Sequence, residues 1–436
     1  MMQSSQFLPD PQPPQFGKAE RRHRSVGWLK RLGPGLVTGA ADDDPSGIAT
    51  YSQIGAQFGF GLAWTLPFSF PLMAVIQEIS ARIGSVTGRG LAQNLREHYA
   101  RPLLYSMVAL LLIANVINLG ADLGAMGAAL GLIIGGPDLA YAIGFGFLCI
   151  ILEVFISYRR YAGLLKWTTL CLFAYVGVVF IVPLSWSDAL ESVFIPKFVF
   201  DHDYAMALVA VLGTTISPYL FFWQAGQEVE EQHRRHVMPL CVTPRNAGRE
   251  LARIRFDTYV GMGFSNIVAL FIVFATAASL HSAGVTKIDT SAQAAEALRP
   301  IAGDFAFGLF ALGIVGTGLL AVPVLAGSGA YAVSEMFDWT EGLDREWKEA
   351  KAFYGVIVAA TLGGALLNFT GLDPITALYW SAVINGILAA PLMAVMMVMV
   401  VNPAVMGRFI LSRPLIWLGW LATLVMASVS LLFFIL

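Results

Sequence analysis

The stretch Gly39-Ala-Ala-Asp-Asp-Asp-Pro-Ser-Gly47 sets three consecutive carboxylates, Asp42, Asp43 and Asp44, inside an otherwise apolar run. A charge at hydrocarbon depth costs about 2.5–3.5 kcal/mol on insertion scales and is usually retained for a function. A second apolar run carries Gly213-Thr-Thr-Ile-Ser-Pro-Tyr219. In both, a residue of N-cap type precedes a proline: Asp44 before Pro45, Ser217 before Pro218. Proline cannot continue a helix yet is favoured at its first position, so each run is predicted to stop before the proline and restart after it. The carbonyls ending each first half-helix then lack partners and carry partial negative charge. Asp44 facing the carbonyls of Thr214 and Thr215, with Ser217 nearby, offers hard oxygen ligands and room for water. That donor set suits Mg²⁺, Mn²⁺ or Ca²⁺ better than soft metals.

Other polar groups fall at hydrocarbon depth, and each has a structural alternative. Asp42 and Asp43 either set the potential of a water-filled vestibule or lie on the ion's path. Thr215 and Tyr219, at the second break, lie on the possible path of the ion. Gln224, Gln227 and Glu228 follow on the same run at helical spacing, as part of an exit path or as polar contacts between helices. Asp122 and Asn385 stand singly in later apolar runs, functional or simply bonded across helices. Glu78 and Arg82 have the i, i+4 spacing of a structural pair. No Met, Cys or His occurs in either break, and all six histidines lie in the tail, in loops or at segment ends. Cys149, Cys171 and Cys241 lack the spacing of a metal knuckle or redox pair and read as packing residues.

The elements that position these groups follow from composition. Only 13% of the 436 residues are charged, against about 25% in soluble domains, and 57% are hydrophobic, with a mean hydropathy of +0.68. A soluble enzyme is excluded, and a net charge of −2 gives no footing for nucleic acid. Eleven apolar runs are long enough to span a bilayer: 35–58, 60–84, 102–130, 137–157, 162–185, 203–227, 257–281, 304–334, 352–372, 376–401 and 413–435. With the N-terminus inside, 24 Lys and Arg fall on the inner side and only Lys197, Lys287 and Arg299 on the outer. The positive-inside rule thus places the N-terminus in the cytoplasm and the C-terminus outside, and the absence of a targeting peptide fits a bacterial inner membrane.

Pro45 and Pro218 are 173 residues apart, and five runs separate equivalent positions. Five is odd, so the second set crosses the membrane in the opposite sense. An all-α integral membrane protein with a 5+5 inverted repeat and helices 1 and 6 broken is the layout of the LeuT-type fold, whose substrate site lies between the breaks. The division expected is a disordered cytoplasmic tail over 1–30, a ten-helix core over 31–401 with repeats 31–185 and 203–401, and an eleventh helix within 402–436.

The run from Gly33 to Pro102, with Asp-Pro-Ser-Gly-Ile-Ala-Thr, Gly-Ala-Gln-Phe-Gly and Ser-Ala-Arg-Ile-Gly-Ser-Val-Thr-Gly, resembles the natural resistance-associated macrophage protein (NRAMP) family of divalent-metal transporters. The likeness recurs at Ala-Asp-Leu (121–123), at Gly-Thr-Thr-Ile-Ser-Pro-Tyr (213–219) and at Gly-Leu-Leu-Ala-Val-Pro-Val-Leu-Ala-Gly (318–327). Several family positions differ. The asparagine of the family's Asp-Pro-Gly-Asn is Gly47 here, and its Met-Pro-His is Ser217-Pro218-Tyr219. The glutamate of Asp-Leu-Ala-Glu is Ala125, the arginine pair of helix 9 is missing around Lys351, and the helix 10 glutamine aligns with Ala382. This set resembles the NRAMP-related magnesium transporters, a branch that moves Mg²⁺ as well as Mn²⁺ without proton coupling. Losing the side chain at Gly47 implies a widened site, which suits a cation that sheds water reluctantly.

The expectation is therefore a transporter of Mg²⁺ or Mn²⁺ working by alternating access, with the metal as cargo and no cofactor. Its partners would be the cation and the bilayer, with no nucleic acid and no obligatory protein. A proton-coupled Mn²⁺/Fe²⁺ importer of the same family is the nearest alternative. An amino-acid or amine symporter of this fold is disfavoured because an aspartate at the break repels a substrate carboxylate. An intramembrane transferase using a Mg²⁺-diphosphate lacks the second acidic cluster and the basic clamp that such chemistry needs.

Overall fold

The computed structural model describes residues 34–156, 168–199 and 201–436, and the expected disordered tail over 1–30 lies outside them. Among the described residues there is helix and turn but no strand. The first run is two helices, α1 (Pro34–Asp42) and α2 (Pro45–Phe58). α3 (Thr65–Thr87) and the short α4 (Leu91–His98) follow, then α5 (Arg101–Ile134) and α6 (Asp138–Phe155). The fifth run is described only from residue 168 and contains α7 (Phe173–Ile181), and α8 (Trp186–Phe194) lies beyond it. The sixth is again split, into α9 (His202–Thr215) and α10 (Pro218–Arg234). α11 (Ala247–Ser279), α12 (Ala306–Phe337), α13 (Lys351–Leu367), α14 (Pro374–Val400) and α15 (Arg413–Ile435) complete the bundle.

Among the described residues, eight of the spans are long and apolar enough to cross a membrane by length and composition alone. The first is cut by its break, so neither half reaches that length, and the fifth lies partly outside the described residues. α3 carries Gln77, Glu78 and Arg82, and it begins at Thr65 instead of residue 60 because turns occupy 59–64. Glu78 and Arg82 do pair, at 2.5 Å.

The two broken runs sit at the centre. The most apolar window of α9 and α10 is 94% buried, whereas that of α15 is only 28% buried, so α15 is an outer addition to the bundle. Its large exposed side chains, among them Trp417, Leu424, Leu431 and Phe434, are apolar, as expected where the neighbour is lipid tail. Cys149 is buried, but Cys241 is exposed in a loop, which corrects the reading of all three cysteines as packing residues.

Glycine lets the broken helices approach their neighbours. α1 lies on α11 where Gly39 meets Gly261, and a Cβ on Gly39 would stand 2.3 Å from the Gly261 carbonyl oxygen. α9 lies on α14 where Gly213 meets Gly386, and a Cβ on Gly213 would stand 2.0 Å from the Ala382 carbonyl oxygen. No other residue fits at these crossings, which hold the first half of each broken helix in place. The start of α1 is fixed from α11 as well. Asp257 accepts hydrogen bonds from the amides of Gly35 (2.8 Å) and Leu36 (3.2 Å), so a carboxylate faces the positive end of the helix.

Candidate metal site

α1 ends at Asp42 and α2 begins at Pro45, which leaves Asp43 and Asp44 as the break. Asp44 is extended (φ −72°, ψ 172°), and its Oδ1 accepts from the Gly47 amide at 2.7 Å. This is the N-cap that the Asp-Pro pair predicts. The second break lies at Ile216 and Ser217, between α9 and α10. Ser217 occupies the cap position without capping, contrary to its resemblance to Asp44. Its hydroxyl donates backwards, to the carbonyls of Gly213 (2.9 Å) and Thr214 (3.0 Å). The reason is chemical: a carboxylate can only accept from the new helix, whereas a hydroxyl can donate to the orphan carbonyls of the old one.

The two breaks face each other. A Cβ at Gly47 would stand 3.3 Å from Thr214 Oγ1 and 3.2 Å from the Asp42 carbonyl oxygen. Tyr219, one residue past Pro218, directs its hydroxyl at Asp44 Oδ2 and at the Ala41 carbonyl, both at 3.3 Å. Asp44, Thr214, Ser217 and Tyr219 are thus brought together, each no more than 2% exposed. The position left by the missing asparagine is packed, and no widening at Gly47 appears. Thr215 turns its hydroxyl into its own helix, towards the Val211 carbonyl at 2.9 Å.

Asp122 and Asn385 also reach this centre, through a residue that the sequence reading missed. Asn118, one turn before Asp122 on α5, places Nδ2 3.2 Å from Asp44 Oδ2 and 3.4 Å from Asp122 Oδ2. Its Oδ1 accepts from Asn385 Nδ2 at 3.4 Å. The spacing of Asn118 and Asp122, four residues on one helix face, was the available signal. Ser265 on α11 was missed too: its Oγ lies 2.7 Å from Asp42 Oδ2 and 3.0 Å from Asp43 Oδ1.

The residues further along α10 do not act as one row. Gln224 accepts from Thr38 of α1, which ties α1 to α10. Gln227 donates to Tyr331 on α12 at 3.2 Å, and Glu228 pairs with Arg253 on α11 at 2.5 Å. Arg253 also holds Glu250 (3.0 Å), which in turn holds Arg235 (2.8 Å), so Glu228 belongs to an ion-pair network. Past these groups a cavity of about 570 Å³ opens beside the loop after α12, lined by Glu230, Tyr331, Glu335, Trp339 and Glu341.

Two discontinuous helices facing each other in an all-helical bundle, with a carboxylate at one break and freed carbonyls at the other, define a secondary transporter of the LeuT type and not an enzyme. The chain belongs to the Nramp family, "natural resistance-associated macrophage protein-like", whose family model matches residues 35–436. In this family a divalent metal is the cargo, not a cofactor. A relative from Klebsiella pneumoniae (strain 342), described as the divalent metal cation transporter MntH, is 26% identical over 417 residues, covering 92% of this chain and 93% of its own. One of the same description from Verminephrobacter eiseniae is 27% identical over 313 residues, 69% of this chain and 67% of its own. Among solved structures, the Eremococcus coleocola manganese transporter superposes with a TM-score of 0.72 at 18% identity, covering 95% of this chain and 88% of that one. Mhp1, a nucleobase-cation-symport-1 family transporter, superposes with a TM-score of 0.56 at 14% identity, covering 91% and 92%.

Proposed function

We propose that this chain carries Mg²⁺ as well as Mn²⁺ through a plasma (inner) membrane by alternating access, without proton coupling. In this reading the N-terminus is cytoplasmic, the C-terminus outside, and the ten-helix core to residue 401 rocks about the two breaks while α15 stays peripheral. Asp44 is the principal ligand. The carbonyl of Thr214, the Ser217 hydroxyl and water complete the set, with Asn118, Asp122, Tyr219 and Asn385 holding Asp44 in place. Asp42, Asp43, Thr215, Gln224 and Gln227 border the route, and Glu228 serves the ion-pair network.

The observation that carries the reading is the donor set where the breaks meet. Asp44, Thr214, Ser217, Tyr219 and Asn118 offer oxygen and amide groups, with no thioether, thiolate or imidazole among them. Hard oxygen donors match Mg²⁺ and Mn²⁺, and sulfur is what would favour softer transition metals. The curated relatives described as divalent metal cation transporters support the cargo class. Lack of proton coupling is supported by Ala125 and Tyr219 standing where the family carries a glutamate and a histidine. The inside-negative potential then drives import, at about 2.3 kcal/mol per charge per 100 mV.

Proteoliposomes loaded with a Mg²⁺-sensitive dye, and a parallel set with a pH dye, test this. Mg²⁺ should enter with no acidification of the lumen, and Asp44→Ala should abolish entry. Mn²⁺ entry accompanied by protons, with Mg²⁺ excluded, would refute it.

A further inference from the structure

Beside Asp44 lie two carboxylates that lack the donors a buried anion requires. Asp44 receives several, among them the Gly47 amide at 2.7 Å, Asn118 Nδ2 at 3.2 Å and the Tyr219 hydroxyl at 3.3 Å. Asp42 and Asp43 are each 1% exposed and share one, the Ser265 hydroxyl, at 2.7 and 3.0 Å. A hydroxyl carries one hydrogen, so it satisfies one of those oxygens at a time. Asp42 Oδ1 is wholly buried with no hydrogen-bond partner among the described residues.

Position adds to the deficit. Asp42 is the last residue of α1, and both carboxylates therefore stand at the negative end of that helix. Among the described residues no Lys, Arg or His pairs with either. Two carboxylates, a hydroxyl and helix-end carbonyls with one hydrogen between them form a cradle for a cation.

We propose that Asp42, Asp43 and Ser265 form a second divalent-cation site, occupied together with the Asp44 site. The choice of cation rests on the function proposed above; the existence of the site does not. Its ligands are carboxylate oxygens of Asp42 and Asp43, the Ser265 hydroxyl and water, and it takes Mg²⁺ or Mn²⁺. Two cations held in adjacent sites repel, so filling one weakens the other. That lets a strongly acidic centre release its ion, as multi-site occupancy does in channels.

The test is Mn²⁺ binding to the purified full-length protein in detergent, read from the loss of the free Mn²⁺ electron paramagnetic resonance signal. Wild type should bind two Mn²⁺ per chain, and Asp44→Ala and the double variant Asp42→Asn/Asp43→Asn one each. The one ion kept by the double variant also shows that it is folded. Ser265→Ala should keep two while weakening one of them about tenfold. A single Mn²⁺ in wild type, or a double variant that binds as wild type does, overturns the second site. If Asp44→Ala leaves both flux and stoichiometry unchanged, the Asp44 reading fails while the double variant still decides the second site.

Discussion

Asn118 places its amide 3.2 Å from Asp44 Oδ2, reaching in from α5, a helix with no break and with two membrane-spanning runs between its own and that of α9. This contact joins Asp44 to Asp122 and Asn385, since Asn118 touches both at 3.4 Å. A carboxylate that binds metal is commonly oriented by such hydrogen bonds, and their loss costs about 10–100-fold in affinity. Asn118→Ala should raise the KM for Mg²⁺ uptake about tenfold and change the maximal rate little. Asn385→Ala should do less, because it acts through Asn118, and the double variant should match Asn118→Ala alone. Additive effects in dye-based uptake would show that the two residues act separately.

Ser217 spends its hydroxyl on the carbonyls of Gly213 and Thr214, which leaves the second break with oxygen donors alone. Ser217→Met removes those bonds and brings a polarisable sulfur to the site. The ratio of Mn²⁺ to Mg²⁺ uptake should rise about tenfold, equivalent to ~1.4 kcal/mol. An unchanged ratio in competition uptake would mean that position 217 does not reach the ion.

Gly47 was expected to widen the site, yet its surroundings are full: a Cβ there would stand 3.2 Å from the Asp42 carbonyl and 3.3 Å from Thr214 Oγ1. An asparagine at 47 must displace the Asp42 carbonyl at one break and the Thr214 hydroxyl at the other. Gly47→Asn should therefore reduce Mg²⁺ and Mn²⁺ uptake together, by about tenfold or more, where a better ligand would have raised Mn²⁺ uptake. Uptake of both ions at several concentrations separates these outcomes.

Both breaks were legible because proline and its N-cap neighbour act locally, and the membrane-spanning runs because apolar length is a one-dimensional property. Asp44 could be singled out because a carboxylate beside Pro45 is costly wherever the chain goes. Asn118 and Ser265 were harder to read: the i, i+4 spacing to Asp122 marked the helix face of Asn118, but the value of each residue comes from which helix crosses the break, and local pattern does not carry that. Ser217 misled for a related reason. Cap and back-bonded hydroxyl share one sequence pattern, and the partner was chosen by which backbone groups were left open. Glu228 looked like part of a route until α11 brought Arg253 beside it.

Glu153 on α6 is 3% exposed, and neither of its carboxylate oxygens has a hydrogen-bond partner among the described residues. A buried polar group without partners costs about 1–3 kcal/mol, and an apolar residue of similar volume does not incur that cost. Glu153→Met should raise the thermal unfolding midpoint in detergent and leave metal uptake as it was. A lower midpoint, or lost uptake, would reveal a role for the carboxylate that its surroundings do not suggest.

The loop after α12 carries a pH dependence of stability. Leu343 donates its amide to Glu230 on α10 at 2.6 Å, and Asp338 pairs with Arg96 of α4 at 2.7 Å, so the loop ties three helices together. Glu341 lies in it, and burial, then the carboxylates of Glu335 and Glu230, hold its carboxyl well above the usual range against the weaker opposing pull of Arg96. Folded Glu341 therefore keeps its proton at pH values where the unfolded chain, with a carboxyl near pKa ~4.3, has lost it. The folded state binds more protons across that window, so stability is fully present below pH ~4.3 and declines as pH rises towards the raised value. Glu341→Gln cannot ionise, and its Tm should fall less steeply than that of the wild type between pH 5 and pH 9 on thermal unfolding in detergent, about pH values chosen to bracket neutrality. Parallel Tm curves for the two proteins would show that Glu341 is already ionised in the folded state.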